Sequence, residues 1–256
     1  MIFSGLILTL NTRTDLEYAL HQGSATRFSI GDVVASSAGT ISRLPNGLRR
    51  EHVDQKLPVL NSRLLRQLST VFQILFIDIT DLAWVVNDAN AKNQPQPISF
   101  SFHDSLLLLG YRLIYISPLG GPRPISEVEN LVHLGLTAFI ISFLRGFDRQ
   151  IPDILILSDL ARSATQGYFN NELENQELLL WTLFIGAASI FRQPDDAWLI
   201  PKIIQAMHTL DLHTWEDVVR TLVRFPWVNA VHDKAGEALW DRSVPRYRPL
   251  SKVTSE

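Results

Sequence analysis

His208, Asp211, His213 and the pair His232-Asp233 are the residues of this chain whose types come closest to acid–base or metal chemistry. An imidazole titrates near neutrality, and a carboxylate beside it can orient the ring, so such a group can move a proton or hold a divalent ion. The spacing argues against the metal. His208 and His213 are five apart, which places them on different faces of a helix, where a ligand pair needs i and i+4. Surface or helix-end histidines are the simpler reading. His103-Asp104 is a second His-Asp pair, and neither pair has a nucleophile, metal or cofactor signature to serve. Asp195-Asp196, just ahead of Trp198, reads as an N-cap and a first-turn charge rather than a catalytic carboxylate pair. Gly120-Gly121 lies between prolines without a following lysine and reads as a plain turn. The chain shows no complete phosphate loop, dinucleotide fingerprint, nucleophile elbow or paired-histidine zinc helix. No catalytic residue, cofactor or metal is expected, and the chain is expected not to be an enzyme.

Composition narrows the partners. The chain has 256 residues, 46% hydrophobic and 19% charged, with a formal net charge of -3 and no cysteine. That suits a folded domain and excludes disulfides, cysteine–zinc clusters and thiol chemistry within it. No strongly basic field exists to hold a polyanion, so direct DNA binding is not expected. The tail cations Arg242, Arg246, Arg248 and Lys252 read as a solvated tail. MIFSGLILTLNTRTD has an apolar run with no basic residue ahead of it and reads as a buried start rather than a secretory signal. The longest apolar runs, Leu178 to Phe191 and Leu134 to Leu144, fall short of the ~20 residues that span a bilayer, so no membrane association is expected.

Helices must position these residues. Leu60, Leu64, Leu65, Leu68, Phe72 and Leu75 share one face of a helix running on toward Val86. A polar linker follows near residues 87–99. Leu106 to Ile116 is a second helix, closed by PLGGPRP. Ser126 can cap a helix that runs to about Arg145, and Pro152 suits the first position of another that ends before Gly167. NNELENQE, residues 170–177, is a polar lead-in to an apolar helix, WTLFIGAASIF. There Thr182, Gly186 and Ser189 form a narrow stripe for a neighbouring helix. Ile200, Ile203, Ile204, Met207 and Leu210 make another apolar face, although Pro201 should bend that helix. Thr214 and Asp217 have capping-box spacing. Val218, Leu222 and Phe225 follow, Pro226 ends that helix at Phe225, and Val228, Val231, Ala235, Leu239 and Trp240 resume the period. SGLILTLN and DILILSD could pass as strands, but the chain as a whole reads as all-α: a multi-helix, irregular helical array.

Five of the six tryptophans, Trp181, Trp198, Trp215, Trp227 and Trp240, lie in the last 76 residues, near expected helix boundaries. Together with ELLLWTLFIGAASIFRQPDDAWLI and LDLHTWEDVVRTLVRFPWVNAVHDKAGEALW, they resemble the C-terminal part of the fungal-specific transcription factor domain. Trp181, Gly186, Trp198, Trp215, Trp227, Gly236 and Trp240 stand at the matching positions. SAGTISRLPNGLRREHVD resembles that family's glycine-containing turn more weakly.

The resemblance implies an all-α regulatory domain of a nuclear regulator, with the cytoplasm as the alternative location. Residues 1–57 would then hold partial or truncated family helices, and 58–256 the regulatory domain. Such domains accompany a six-cysteine zinc cluster, which this chain lacks. It departs further at Ala197, where a proline is common, and at Pro226. The expected mechanism is therefore protein–protein contact, with itself or with related transcription factors, in a truncated or stand-alone regulator. An upstream in-frame exon encoding six spaced cysteines would make it part of an ordinary DNA-binding factor. The competing expectation is a small-molecule-sensing helical domain that binds an apolar metabolite between helices.

Overall fold

The computed structural model describes residues 2–31, 62–91, 99–147, 152–167 and 172–247. These form ten α-helices and no strand among the described residues. They are α1 (Ile2–Gln22), α2 (Arg63–Arg66), α3 (Thr70–Ala91), α4 (Ser99–Ile116), α5 (Glu127–Phe147), α6 (Leu155–Gln166), α7 (Leu173–Ser189), α8 (Asp196–Thr209), α9 (Trp215–Leu222) and α10 (Asn229–Tyr247). A 3-10 turn, Gln193–Asp195, leads into α8. SGLILTLN lies within α1, and DILILSD spans the start of α6.

The centre is the pair α5 and α7. Residues 131–144 of α5 and 175–186 of α7 are buried without a break, so these helices present no solvent face there. Gly135 of α5 lets them approach: a Cβ at that position would overlap the Trp181 ring. Around the pair, α7 also contacts α6, α8, α9 and α10, while α3, α4 and α6 pack on α5. α1 lies against α4 and α6. It is tied down by buried Asp15, whose carboxylate accepts from the backbone N–H groups of Arg27 and Phe28 and from the Tyr111 hydroxyl at 2.8 Å. Gly23, at φ 67°, ends α1 in the left-handed region, and its carbonyl accepts from Gly120 N at 2.7 Å.

Local signals account for several helix starts. Thr214 Oγ1 accepts from Asp217 N at 3.1 Å, and the Asp217 carboxylate accepts from Thr214 N at 3.1 Å, completing the capping box. Ser126 Oγ accepts from Glu129 N at 3.4 Å. Ile203 and Met207 are fully buried on the inner face of α8, which continues through exposed Pro201.

Other boundaries differ from the sequence reading. The helix expected from Leu60 onward is two helices, α2 and α3, and Leu60 lies outside the described residues. The Gln73 side chain makes the break tolerable by donating to the carbonyls of Leu65 and Leu68 at 2.9 and 2.8 Å, which a continuous helix would have satisfied itself. Residues 87–91 of the linker expected near 87–99 belong to α3, which continues to Ala91, and 92–98 lie outside the described residues. α4 begins at Ser99, earlier than Leu106, and α6 begins at Leu155 rather than at Pro152. The polar lead-in is helical from Leu173, with Asn175, Gln176 and Glu177 buried. α9 stops at Leu222, and a turn carries the chain through Phe225 to Pro226.

The run-length expectation also needs correction. Thr70–Ala91 and Glu127–Arg145 are each long and apolar enough to cross a membrane by length and composition, with 44% and 78% of their apolar windows buried within the fold. The side chains at the start of α1, the glycine-containing turn at 37–54, the boundary near residue 57 and the tail cations Arg248 and Lys252 lie outside the described residues.

Candidate functional site

Trp181, Gly186, Trp198, Trp215, Trp227 and Gly236 form one packed unit around α7. Trp181 is fully buried in the middle of α7, not at a helix boundary. Its ring stacks on Phe225 with centroids 5.4 Å apart, and its Nε1 donates to Pro226 O at 3.0 Å. Trp227 is buried and donates to Asp233 at 2.7 Å. Gly236 lies beneath Trp215 and Trp227: a Cβ there would come within 2.7 Å of the Trp215 ring and 3.3 Å of the Trp227 ring. Trp215 in turn meets Phe184 of α7. Trp198 is half-buried, packs edge-on against Phe191 and donates to Asp195 at 3.1 Å, while Trp240, mid-helix in α10, is also half-buried.

Gly186 requires a correction. The expected stripe of Thr182, Gly186 and Ser189 is buried, but a Cβ on Gly186 would strike the ring of Phe191, from its own chain, rather than a neighbouring helix. The chain turns back at the end of α7 and lays Phe191 over the glycine. The close helix–helix approach is made by Gly135 instead.

The acid–base candidates are scattered. His208 is exposed at the end of α8, and exposed His213 bonds Asp211 at 2.9 Å. Asp195 turns its carboxylate back to Arg192 N at 2.8 Å and makes no side-chain cap to α8, while Asp196 pairs with Arg242 at 3.1 Å. Arg242 and Arg246 therefore belong to α10, not to a tail. Gly120-Gly121 is a turn in which Gly121 N donates to Pro118 O. His103 is half-buried on α4, where burial and then Arg13 lower its pKa; burial raises that of Asp104. Among the described residues no three metal-ligating side chains converge.

His232 is not a surface histidine. It is fully buried among Phe139, Phe143 and Trp227. Nδ1 accepts from Val228 N at 2.9 Å, so Nε2 carries the proton and donates to Ser142 Oγ at 2.9 Å. Ser142 then donates to Phe139 O at 2.7 Å. Every polar atom is used, and protonating Nδ1 would break the bond from Val228. Burial lowers the His232 pKa from 6.5 to about 3. His133, buried and bonded to Arg123 and Leu113 O, is lowered to about 3 by burial first and Arg123 second.

Both histidines bear on stability. In the folded state each stays neutral down to about pH 3, whereas the unfolded chain takes up a proton near pH 6.5. The unfolded state therefore binds more protons as pH falls through that window. Stability should drop below about pH 6.5 by up to ~1.4 kcal/mol per pH unit for each histidine. Urea titrations from pH 7 to pH 5 should show this fall, reduced in His232→Gln. A fall of the same size in that variant would sink the assignment to His232.

A cavity of about 490 Å³ opens between α3, the N-terminal half of α7 and the turn after α9. Phe76, Trp84 and Phe225 give it aromatic walls, and Asp88, Glu174, Glu177 and Arg224 give it charge. Glu174, in the first turn of α7, accepts from Leu64 N, and Glu177 pairs with Arg224. Burial pushes the Glu177 carboxyl above its ordinary pKa against the opposing pull of Arg224. Asn87, at the rim, clamps the wall by donating to Trp227 O at 2.8 Å and accepting from Asn229 N at 3.0 Å. The sequence reading missed this site because it took Asn87 and Asp88 for linker and Glu174 and Glu177 for a polar lead-in. The available signal was helical spacing: Trp84, Asn87 and Asp88 at i, i+3, i+4, and Glu174 and Glu177 at i, i+3. No protein-family model, curated protein or solved structure matches this chain.

Proposed function

We propose that the chain is a helical regulatory domain of the fungal zinc-cluster type, acting in transcription through protein–protein contacts and without a DNA-binding module of its own. The observation that supports this reading is the mutual packing of the residues on which the resemblance rests. Trp181, Gly186, Trp198, Trp215, Trp227 and Gly236 pack around or beside α7, either against one another or through Phe184, Phe191 and Phe225, and Trp240 packs against the same hydrophobic core. Their spacing therefore marks how this domain is built rather than a reaction it performs. The scattered acid–base candidates and the fully satisfied His232 favour a non-enzymatic role.

The test uses the full chain fused to a heterologous DNA-binding module in a fungal reporter strain. The fusion is expected to change reporter output several-fold against the module alone. A soluble, folded fusion with no effect would overturn the proposal. The purified chain should be retained on DNA only at low salt, and sequence-selective binding at physiological salt would also overturn it.

A second reading, a small-molecule sensor for an apolar metabolite, draws on the cavity between α3 and α7. Its aromatic walls and its volume lie in the range of small-molecule sites, ~300–1,000 Å³.

A further inference from the structure

We propose that the surface around Arg123, in the loop between α4 and α5, receives a segment of a partner protein in which a single carboxylate stands between apolar side chains. This rests on the protein–protein part of the function proposed above and names the chemistry of the partner. The first observation is a guanidinium without a counter-charge. Arg123 is half-buried. Its Nε donates to Asn130 Oδ1 at 3.0 Å, Nη1 to Ser117 Oγ at 3.1 Å and Nη2 to His133 Nδ1 at 2.8 Å. All three acceptors are neutral. Ser117 donates onward to Pro122 O, and His133 donates from Nε2 to Leu113 O. No carboxylate among the described residues pairs with Arg123, and burial lowers its pKa with no acid opposing. A guanidinium has five N–H groups, so one remains on each terminal nitrogen, available to a carboxylate.

The surroundings select the occupant. A partly desolvated charge held only by neutral groups is costly, and an incoming carboxylate relieves that cost through charge-assisted bonds. Apolar flanks come from Ile125, fully exposed, and Tyr115, 74% exposed. Ile125 is two residues from Arg123 and Tyr115 two from Ser117, so each lies within about 7 Å of that neighbour along the backbone. A partner that meets the guanidinium can therefore also remove both side chains from water. Arginine and tyrosine are the residue types that most often dominate the energetics of such contacts. One acid fits better than a run of acids, because Glu127 and Glu129 stand in the first turn of α5 and would repel further carboxylates. A small free acid would leave Ile125 and Tyr115 in water.

The test is an NMR titration of the isotope-labelled full chain with three blocked peptides, Leu-Glu-Leu, Leu-Gln-Leu and Leu-Lys-Leu, read at the Arg123 Nε–H and the Gly121 amide. The Glu peptide is expected to bind at least about fivefold more tightly than the Gln peptide, and the Lys peptide most weakly. Asn130→Asp keeps the acceptor for Arg123 Nε and supplies an internal carboxylate. It should remove the preference for Glu over Gln without lowering the Tm, since an acid is favourable in the first turns of a helix. Ile125→Ser, at a fully exposed position, should weaken the Glu and Gln peptides alike. Equal binding of Glu and Gln peptides, tightest binding of the Lys peptide, no binding of the Glu peptide at millimolar concentration, or a Glu preference that survives in folded Asn130→Asp would each overturn the proposal. The titration contains no reporter, so the two proposals fail separately. A silent fusion beside Glu-selective binding removes the transcriptional role and leaves this site, and an active fusion beside equal binding does the reverse.

Discussion

Replacing Trp181 by alanine is expected to lower the unfolding free energy by ~3–5 kcal/mol, the range for emptying a buried large aromatic site. Two features place it toward the upper end. The ring is fully buried and stacked on Phe225 at an interplanar angle of 15°, so its removal leaves a void bounded by α5, α7 and the turn after α9. It also orphans the Pro226 carbonyl, which Trp181 Nε1 satisfies at 3.0 Å inside the core. Gly135 worsens the void, because no Cβ stands there to fill part of it. Trp181→Phe separates the two contributions: it retains a ring against Phe225 and loses only the indole's extra volume and its N–H, so its cost should be smaller. Half-buried Trp198 gives the internal comparison, and Trp198→Ala should cost less than Trp181→Ala. Urea unfolding followed by far-UV circular dichroism measures all three. A loss below about 1 kcal/mol for Trp181→Ala would contradict the central place given to this ring.

The helix class, several of the helix starts and much of the apolar core follow from periodicity and capping chemistry, because those depend on neighbours in sequence. Thr214 and Asp217 find each other three residues apart whatever the rest of the chain does. α10 shows where that logic stops. The apolar reading chose Val228, Val231, Ala235, Leu239 and Trp240. The buried stripe is instead Val228, His232, Gly236, Leu239 and Ser243, while Val231 is 39% exposed. Three of the five buried positions carry residues that hydropathy ranks as surface. They are inside because partners elsewhere accept them: Ser142 and Val228 N for His232, the rings of Trp215 and Trp227 over Gly236, and Leu239 O for Ser243. The cavity was hidden for a related reason. Glu177 is buried by virtue of Arg224, and half-buried Asn87 is held by the Trp227 carbonyl and the Asn229 amide. These partners lie 47, 140 and 142 residues away, so no local window contains both members of a pair.

Gly186 carries the second large effect, and it tests which neighbour the glycine serves. α7 ends at Ser189, and the N–H groups of both Ile190 and Phe191 donate to the Gly186 carbonyl, at 2.7 and 2.8 Å. That reversal swings the Phe191 side chain back across its own helix and sets the ring where a Cβ on Gly186 would stand. Phe191 is buried there, with its ring edge-on to Trp198 at 5.0 Å, so it has no room to retreat. Gly186→Ala should therefore cost ~1–3 kcal/mol by overpacking, although alanine is the better helix former by ~1 kcal/mol, and Gly186→Leu should cost more. The sign should change once the ring is removed. In a Phe191→Ala background, Gly186→Ala no longer meets the ring, so the helix-propensity gain should make it neutral or stabilising by up to ~1 kcal/mol. The double-mutant cycle then shows a coupling of ~2 kcal/mol or more between two residues five apart in sequence. If the Gly186→Ala penalty persisted unchanged without the Phe191 ring, the close contact would belong to a neighbouring helix, as the small-residue stripe first suggested.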